Sequence, residues 1–258
     1  MNDGGPLRVA LVGAKGRMGH AIEACAAREP AAYEIVARLG RGEPLAAVAD
    51  SDAVIDFSGP AATGDVLAAC VAARRPLVLG TTGHDDAARA AVESAARDIP
   101  IVFAANFSVG VNALFWLTRQ AARILGPTFD LEVVEVHHRL KKDAPSGTAR
   151  RLAEILAEAR ALDYAADTRH GREGLVGART ATEIGVHAVR GGDVVGEHTV
   201  LFADAGERVE LVHRATSRET FAAGALRAAA WLAGRPPALY DMEDVLGLRA
   251  VPNPGPEP

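Results

Sequence analysis

Short apolar runs separated by amphipathic stretches fill the first hundred residues of the chain. Leu7–Val12, Tyr33–Leu39, Ala53–Ser58, Pro76–Gly80 and Ile101–Ala105 are too short for helices and rich in Val, Ile and Leu, which predicts buried parallel strands. Met18, Ile22, Cys25 and Ala26 recur at helical spacing after the first run, and residues 61–73 and 85–97 read as helices by composition and spacing. Strand and helix alternate with short connections. The pattern predicts an α/β fold with a doubly wound parallel sheet.

After Val111 the pattern changes. A helix over about residues 112–125 leads to the β-branched run Val133, Val134, Val136, on which Glu132 and Glu135 fall on opposite faces. A helix over about 149–162 and a polar, Arg-rich loop over about 163–179 follow. Thr182–Arg190, Gly196–Ala203 and Glu207–Ala215 are β-like runs joined by Gly-Gly-Asp and Ala-Gly-Glu turns, which predicts successive antiparallel pairs. Thr220–Ala233 reads as a last helix, and residues 252–258, rich in Pro and Gly, as a frayed tail. These changes divide the chain into residues 1–108, a parallel-sheet domain, and 109–217, a second sheet-forming domain.

Composition narrows the possibilities. A chain of 258 residues with 49% apolar and 24% charged residues buries a sizeable core in one large domain or two modest ones. A net charge of −5 leaves no basic surplus for phosphate contacts and argues against nucleic acid as a partner. With no signal peptide and no run of ~18 apolar residues, neither a membrane span nor export is expected, and the cytoplasm is the expected location. Cys25 and Cys70 sit in Ala-rich stretches without CxxC spacing, which suggests neither a disulfide framework nor a metal site.

Candidate chemistry gathers at the ends of the strands. Gly13-Ala14-Lys15-Gly16-Arg17-Met18-Gly19 follows the first strand and opens a helix, the context of a dinucleotide-binding turn, although its spacing is G-x-x-G-x-x-G. Gly80-Thr81-Thr82-Gly83 and Asn106-Phe107-Ser108 end two further strands on the same edge, where open α/β sheets bind ligands. The second strand runs into Arg38-Leu39-Gly40-Arg41 with no acid at its tip to take a ribose 2′-hydroxyl. Arg41, with Arg38 as a second candidate, could instead meet a 2′-phosphate, which leans towards NADPH over NADH.

The densest cluster is 137–148. His137 and His138 end a strand, Lys141 and Lys142 follow, and Ser146-Gly147-Thr148 stands where a helix begins. Imidazoles, ammonium groups and a helix N-terminus together suit an acidic small molecule. Adjacent strand residues point to opposite faces, so the two histidines do not readily share a metal, and none is expected.

Taken together, these residues resemble the dihydrodipicolinate reductases (4-hydroxy-tetrahydrodipicolinate reductases) of the diaminopimelate route to lysine. The resemblance is carried by Val12–Gly19, Gly80–Gly83, Ala104-Ala105-Asn106-Phe107-Ser108-Val109-Gly110-Val111-Asn112, His137–Thr148, Arg190–Thr199 and Asp241–Leu246, in the family's order over nearly the whole chain. It implies a Rossmann-like domain, with residues 218–258 packing back on it, plus a mixed α+β domain whose open sheet builds a homotetramer. By matching positions it implies His137 as acid/base, Lys141 as proton donor, and His138, Lys141, Ser146, Gly147 and Thr148 as the holders of a dicarboxylate. Gly13, Ala14, Lys15, Gly16, Arg17, Met18, Gly80, Thr81, Thr82, Ala104, Ala105, Asn106 and Phe107 would contact NADPH or NADH. The chain departs from the family at Lys15, where many members carry a small residue, and at Gly40, where an acid is often found; Arg41–Ser51 is also short.

Two other readings account for part of the pattern. Another NAD(P)-dependent dehydrogenase of similar fold would share the glycine turn without needing the His137–Thr148 series. A non-catalytic dinucleotide sensor would have no use for His137 and Lys141.

Overall fold

The computed structural model describes residues 5–249, which divide into two compact units. The first begins with β1 (Leu7–Val12), α1 (Arg17–Arg28), β2 (Tyr33–Leu39), β3 (Ala53–Asp56), α2 (Thr63–Ala73), β4 (Leu77–Leu79), α3 (Asp86–Ala95) and β5 (Pro100–Phe103). Every pairing among these strands is parallel. Both faces of the sheet are covered, which is why its inner strands β1, β3, β4 and β5 are largely apolar rather than alternating, while edge strand β2 keeps Glu34 and Arg38. Ala10, Val12, Val54, Leu77 and Leu79 face one core with Val66, Leu67 and Cys70 of α2 and Val92 of α3. Val9, Leu11, Ile55, Val78 and Val102 face the other with Ile22 and Cys25 of α1.

The second unit, Gly110–Ser217, holds nearly all of α4 (Val109–Leu125), then β6 (Asp130–His137), α5 (Gly147–Arg160), α6 (Tyr164–Asp167), β7 (Thr168–His170), β8 (Ile184–Arg190), β9 (Gly196–Asp204) and β10 (Glu207–Ala215). Its sheet runs β10-β9-β6-β8-β7. Leu131, Val133, Ile184, Val186, Val200 and Phe202 pack on Leu152, Ala153 and Leu156 of α5 and on Leu114 and Ala122 of α4. On the opposite face Glu132, Val134 and Val136 are only half buried. The polar loop expected at 163–179 contains α6 and β7, and its arginines anchor it. Arg172 Nη2 reaches Glu132 Oε1 at 2.6 Å, and Arg179 Nη1 reaches Asp130 Oδ1 at 2.9 Å.

The expectation of successive antiparallel pairs holds for β9 and β10 but fails for β8 and β9. β6 lies between those two strands, parallel to β8 and antiparallel to β9. The Gly-Gly-Asp segment is not a tight hairpin turn; it crosses the end of β6, where Gly191 N–H donates to the His137 carbonyl (2.9 Å) and Arg139 N–H to the Gly192 carbonyl (3.2 Å). Skipping one strand means spanning roughly 10 Å, within reach of the residues between Arg190 and Gly196. Covered on both edges, β6 is the central strand, and its C-terminal end is where the candidate chemistry stands.

The chain then returns to the first unit with α7 (Glu219–Leu232), β11 (Ala238–Tyr240) and α8 (Met242–Leu246). β11 adds to β5 and completes a six-stranded order β11-β5-β4-β3-β1-β2. Ala222, Ala225, Leu226 and Ala229 of α7 join the core that α1 also covers. The approach is close: a Cβ at Gly224 would lie 1.8 Å from the Phe107 carbonyl oxygen. Gly224→Ala is therefore expected to destabilise the protein by about 3 kcal/mol, since backbone cannot yield as a side chain can. A urea unfolding midpoint unchanged from the parent would refute this. The tail expected at 252–258 lies outside the described residues. Among the described residues no helix is long and apolar enough to cross a membrane.

Candidate active site

β6 alternates strictly, with Leu131, Val133, Glu135 and His137 on its buried face. A carboxylate on such a face requires partners. Glu135 is fully buried, and each of its oxygens accepts two hydrogen bonds. Oε1 takes Arg190 Nη2 (2.8 Å) and the Ser146 N–H (3.0 Å); Oε2 takes Arg190 Nη1 (2.8 Å) and the His137 Nδ1–H. Burial opposes ionisation of Glu135, but the bonds from Arg190, His137 and Ser146 outweigh it and hold the carboxyl below the usual range. Burial depresses the His137 pKa, partly offset by Glu135, so the imidazole is neutral at neutral pH.

Ser146 caps α5: its Oγ accepts the Ala149 N–H at 3.1 Å and lies 3.1 Å from His198 Nε2. His198 of β9 meets the His137 ring edge to face, with centroids 5.1 Å apart. Burial and then the neighbouring His137 push His198 down to about 3, so it too is neutral. Lys141 Nζ pairs with Asp143 at 2.9 Å, and Arg190 Nη2 also donates to the Asp143 carbonyl at 2.6 Å. His138 Nδ1 is buried without a hydrogen-bond partner among the described residues. Gly147 and Thr148 form the first turn of α5, at the positive end of its dipole. The structure thus gathers Glu135, His137, Arg190, His198 and Ser146 into one network, with Lys141 tied through Asp143 to Arg190. Ser146 contributes mainly to the frame, its N–H and hydroxyl both being engaged inside the protein.

In the first unit the candidate cofactor residues line the C-terminal edge of the parallel sheet. Gly13 (φ +83°) has no room for a side chain, since a Cβ there would lie 2.6 Å from the Phe57 carbonyl oxygen. Gly13 N–H donates to the Leu39 carbonyl at 2.8 Å, which ties the turn to the end of β2. Gly16 caps α1 with no side-chain hydrogen bond, leaving the helix entrance clear for an anion. Buried Asp56 accepts the Ser58 N–H (2.8 Å) and the Thr81 hydroxyl (3.2 Å) and so joins the loops after β3 and β4. Asn106 Oδ1 accepts the Ser108 N–H at 2.8 Å and orders the loop after β5. These cradles fit a dinucleotide. Lys15, Gly16, Arg17, Thr82 and Ala105 are exposed along this edge, and Ala14, buried, packs beneath the turn. The Phe107 side chain lies in the core against Phe57 (centroids 5.6 Å apart), so only its backbone is available there.

The tip of β2 differs from the expectation of no acid. Glu43 sends its carboxylate back from the turn at Gly42 (φ +78°); Oε2 accepts the Gly40 N–H and Oε1 the Lys15 Nζ, each at 2.7 Å. Arg38 pairs with Glu23 at 2.7 Å, while Arg41 is exposed. The hydrogen bond from Lys15 leads in holding the Glu43 carboxyl below the ordinary range.

Comparison with known proteins decides the family. Residues 7–107 match the model of the dihydrodipicolinate reductase N-terminus, and residues 110–246 that of the C-terminus. The chain belongs to the dihydrodipicolinate reductase family. It is 56% identical over 243 residues to a 4-hydroxy-tetrahydrodipicolinate reductase of Akkermansia muciniphila, covering 94% of this chain and 98% of that relative. It is 49% identical over 265 residues to one from Anaeromyxobacter dehalogenans, with 94% and 98% covered. Among solved structures, dipicolinate-bound dihydrodipicolinate reductase from Paenisporosarcina sp. TG-14 superposes with a TM-score of 0.73 at 24% identity, covering 93% of this chain and 99% of that one. At that identity the likeness supports the fold: a Rossmann-like parallel sheet followed by a second, mixed sheet.

The sequence pattern alone assigns no role to Glu135, Arg190, His198 or Glu43, which the structure places at the site or at the tip of β2. Glu135 carried a usable signal, an acid on the apolar side of an alternating strand. Arg190 and His198 lie inside the Arg190–Thr199 motif, but their hydrogen-bond partners, Glu135 and Ser146, stand far away in sequence.

Proposed function

We propose that this chain catalyses the NAD(P)H-dependent reduction of 4-hydroxy-tetrahydrodipicolinate to tetrahydrodipicolinate, with loss of water, in the diaminopimelate route to lysine. The observation that carries the reading is the Glu135–His137 pair, linked through Arg190 and Asp143 to the Lys141 ammonium and, through Ser146, to the entrance of α5. A ring with two carboxylates needs cationic and N–H donors, which Lys141, His138 and the Ser146-Gly147-Thr148 turn provide. Loss of the 4-hydroxyl as water leaves a conjugated imine. The reduced nicotinamide, when bound, supplies the hydride. The enamine that results must gain a proton at carbon. Lys141 delivers it, and neutral His137 serves as the acid/base partner that takes up and returns protons at Nε2.

The cofactor cradle is formed by the turn Gly13–Met18, by Gly80, Thr81 and Thr82, and by the backbone of Ala104–Phe107. At the ribose, Glu43 supplies the acid that β2 lacks, and exposed Arg41 is the group for a 2′-phosphate. Glu43→Gln is expected to improve NADPH binding relative to NADH by about tenfold, because a carboxylate next to a phosphate is repelled and its loss frees Lys15. Fluorescence titration with each nucleotide reads the ratio, and an unchanged ratio would remove Glu43 from nucleotide selection.

The reading extends to a homotetramer and to the cytoplasm. The face of the second sheet away from α5 supports an assembly where the 163–179 loop does not reach: Val189 and Val212 are 47% and 42% exposed beside half-buried Val134 and Val136. The deciding experiment follows oxidation of NADH and NADPH by the purified protein with substrate freshly made by the preceding synthase. Oxidation that depends on the dicarboxylate supports the reductase. Cofactor binding without oxidation would favour another dehydrogenase or a sensor.

A further inference from the structure

Glu135 does more than neutralise Arg190. Its four hydrogen bonds join three parts of the site: the imidazole on β6, the guanidinium on β8 and the turn that opens α5. A carboxylate with two donors on each oxygen can only accept. Arg190 and the Ser146 N–H can only donate, so the fourth bond requires a hydrogen on His137 Nδ1. In the neutral ring the lone pair is then at Nε2. Residue 196 leaves room beside that nitrogen: a Cβ at Gly196 would stand 3.0 Å from His137 Nε2, and glycine puts no side chain there. Arg190 extends the linkage by donating to the Asp143 carbonyl, two residues from Lys141.

We propose that Glu135 is the positioning residue of this site, fixing His137 as its Nδ1–H tautomer and, with Arg190, holding the 143–148 turn in register with it. The proposal deepens the functional reading above and rests on it for the identity of the reaction. Its physical basis is general, since a carboxylate on one imidazole nitrogen sets the tautomer and aim of the other. The groups facing His137 are Glu135 on its own strand, Arg190 from β8, His198 from β9 and Lys141 from the following loop. Of these, Glu135 alone carries negative charge.

The test has two arms. In substrate-free protein labelled with nitrogen-15, long-range proton–nitrogen spectra assign the tautomer of His137, with His137→Gln identifying its signals. The Nδ1–H form is expected, and an Nε2–H form would overturn the proposal. In the second arm, Glu135→Gln keeps the shape of the side chain and replaces one acceptor oxygen with a donor. It is expected to lower kcat about a hundredfold, to leave the Kd for NADH within about twofold, and to move the acid limb of the kcat/KM profile to lower pH. The limb moves in that direction because the charge that raises the His137 pKa is gone. Near-parental kcat with an unmoved limb would overturn the proposal, reducing Glu135 to a packing partner of Arg190. If Glu135→Gln does not fold, Glu135→Asp retains the charge for Arg190 while drawing it back from His137, and the same readouts apply. Since the tautomer is read without substrate, a failed reductase assay would strike the functional reading and leave the positioning claim to the spectrum.

Discussion

His137→Gln is expected to lower kcat by about a hundredfold or more, the range for losing a general acid–base group, while the Kd for NADH or NADPH stays near the parental value. The separation follows from where the residue stands. His137 belongs to the second unit, at the end of β6, with its neighbours Glu135, His198 and Arg190 drawn from that unit. The candidate cofactor cradle belongs to the first. A glutamine can still donate to Glu135, so the buried carboxylate keeps a partner, but an amide offers nothing that titrates near neutrality. Steady-state turnover alongside nucleotide titration measures both quantities. Turnover close to parental would remove His137 from the chemistry.

Lys141→Ala is expected to cost at least as much in kcat, and to raise KM as well. The Lys141 side chain is only 20% exposed and its ammonium is held 2.9 Å from Asp143. Removing it deletes both the proposed proton donor and a charged ligand for a substrate carboxylate. Lys141→Arg separates the two contributions. A guanidinium keeps the positive charge but does not release a proton in this range, so it should recover much of KM and little of kcat. Recovery of kcat by arginine would recast Lys141 as a binding residue and move protonation to His137. A double variant lacking both side chains should fall well short of the product of the two single losses, because groups acting on one proton transfer are not independent.

Much of this architecture is legible in the chain because local pattern and tertiary demand agree. β1, β2 and β10 have the bounds that apolar runs and turn residues predict. The failures have physical causes. β8 and β9 read as a hairpin because a glycine pair joins them, yet β6 takes the place between them and buries both of its edges. That choice is made by long-range pairing, which no local window contains. β11 is a three-residue edge strand after two prolines, too short to show a period. Loop 163–179 hides a one-turn helix capped by Asp163 and another three-residue strand for the same reason. Of the site, His137, Lys141 and the α5 entrance were visible as an unusual density of polar chemistry at a strand end. Glu43 was not, since the acid expected inside β2 arrives from the turn beyond it, and only the backbone reversal at Gly42 makes this geometrically available.

The discontinuity of the first unit also dictates the order in which the molecule can form. Its sheet lacks an edge strand and one of its covering helices until residues 219–240 have been synthesised, and those elements bury the same apolar face as Val9, Leu11 and Ile55. On the ribosome, the amino-terminal hundred residues must wait, with that face covered by α1 alone, while the contiguous segment from Gly110 to Ser217 emerges as a unit able to close its own core. The last-made stretch then seals the first-made one. Translation that stops short of α7 therefore releases not a smaller nucleotide-binding protein but a chain whose sheet keeps α1 on that face and leaves the part under α7 bare, apolar surface of the kind that holdase chaperones and quality-control proteases recognise.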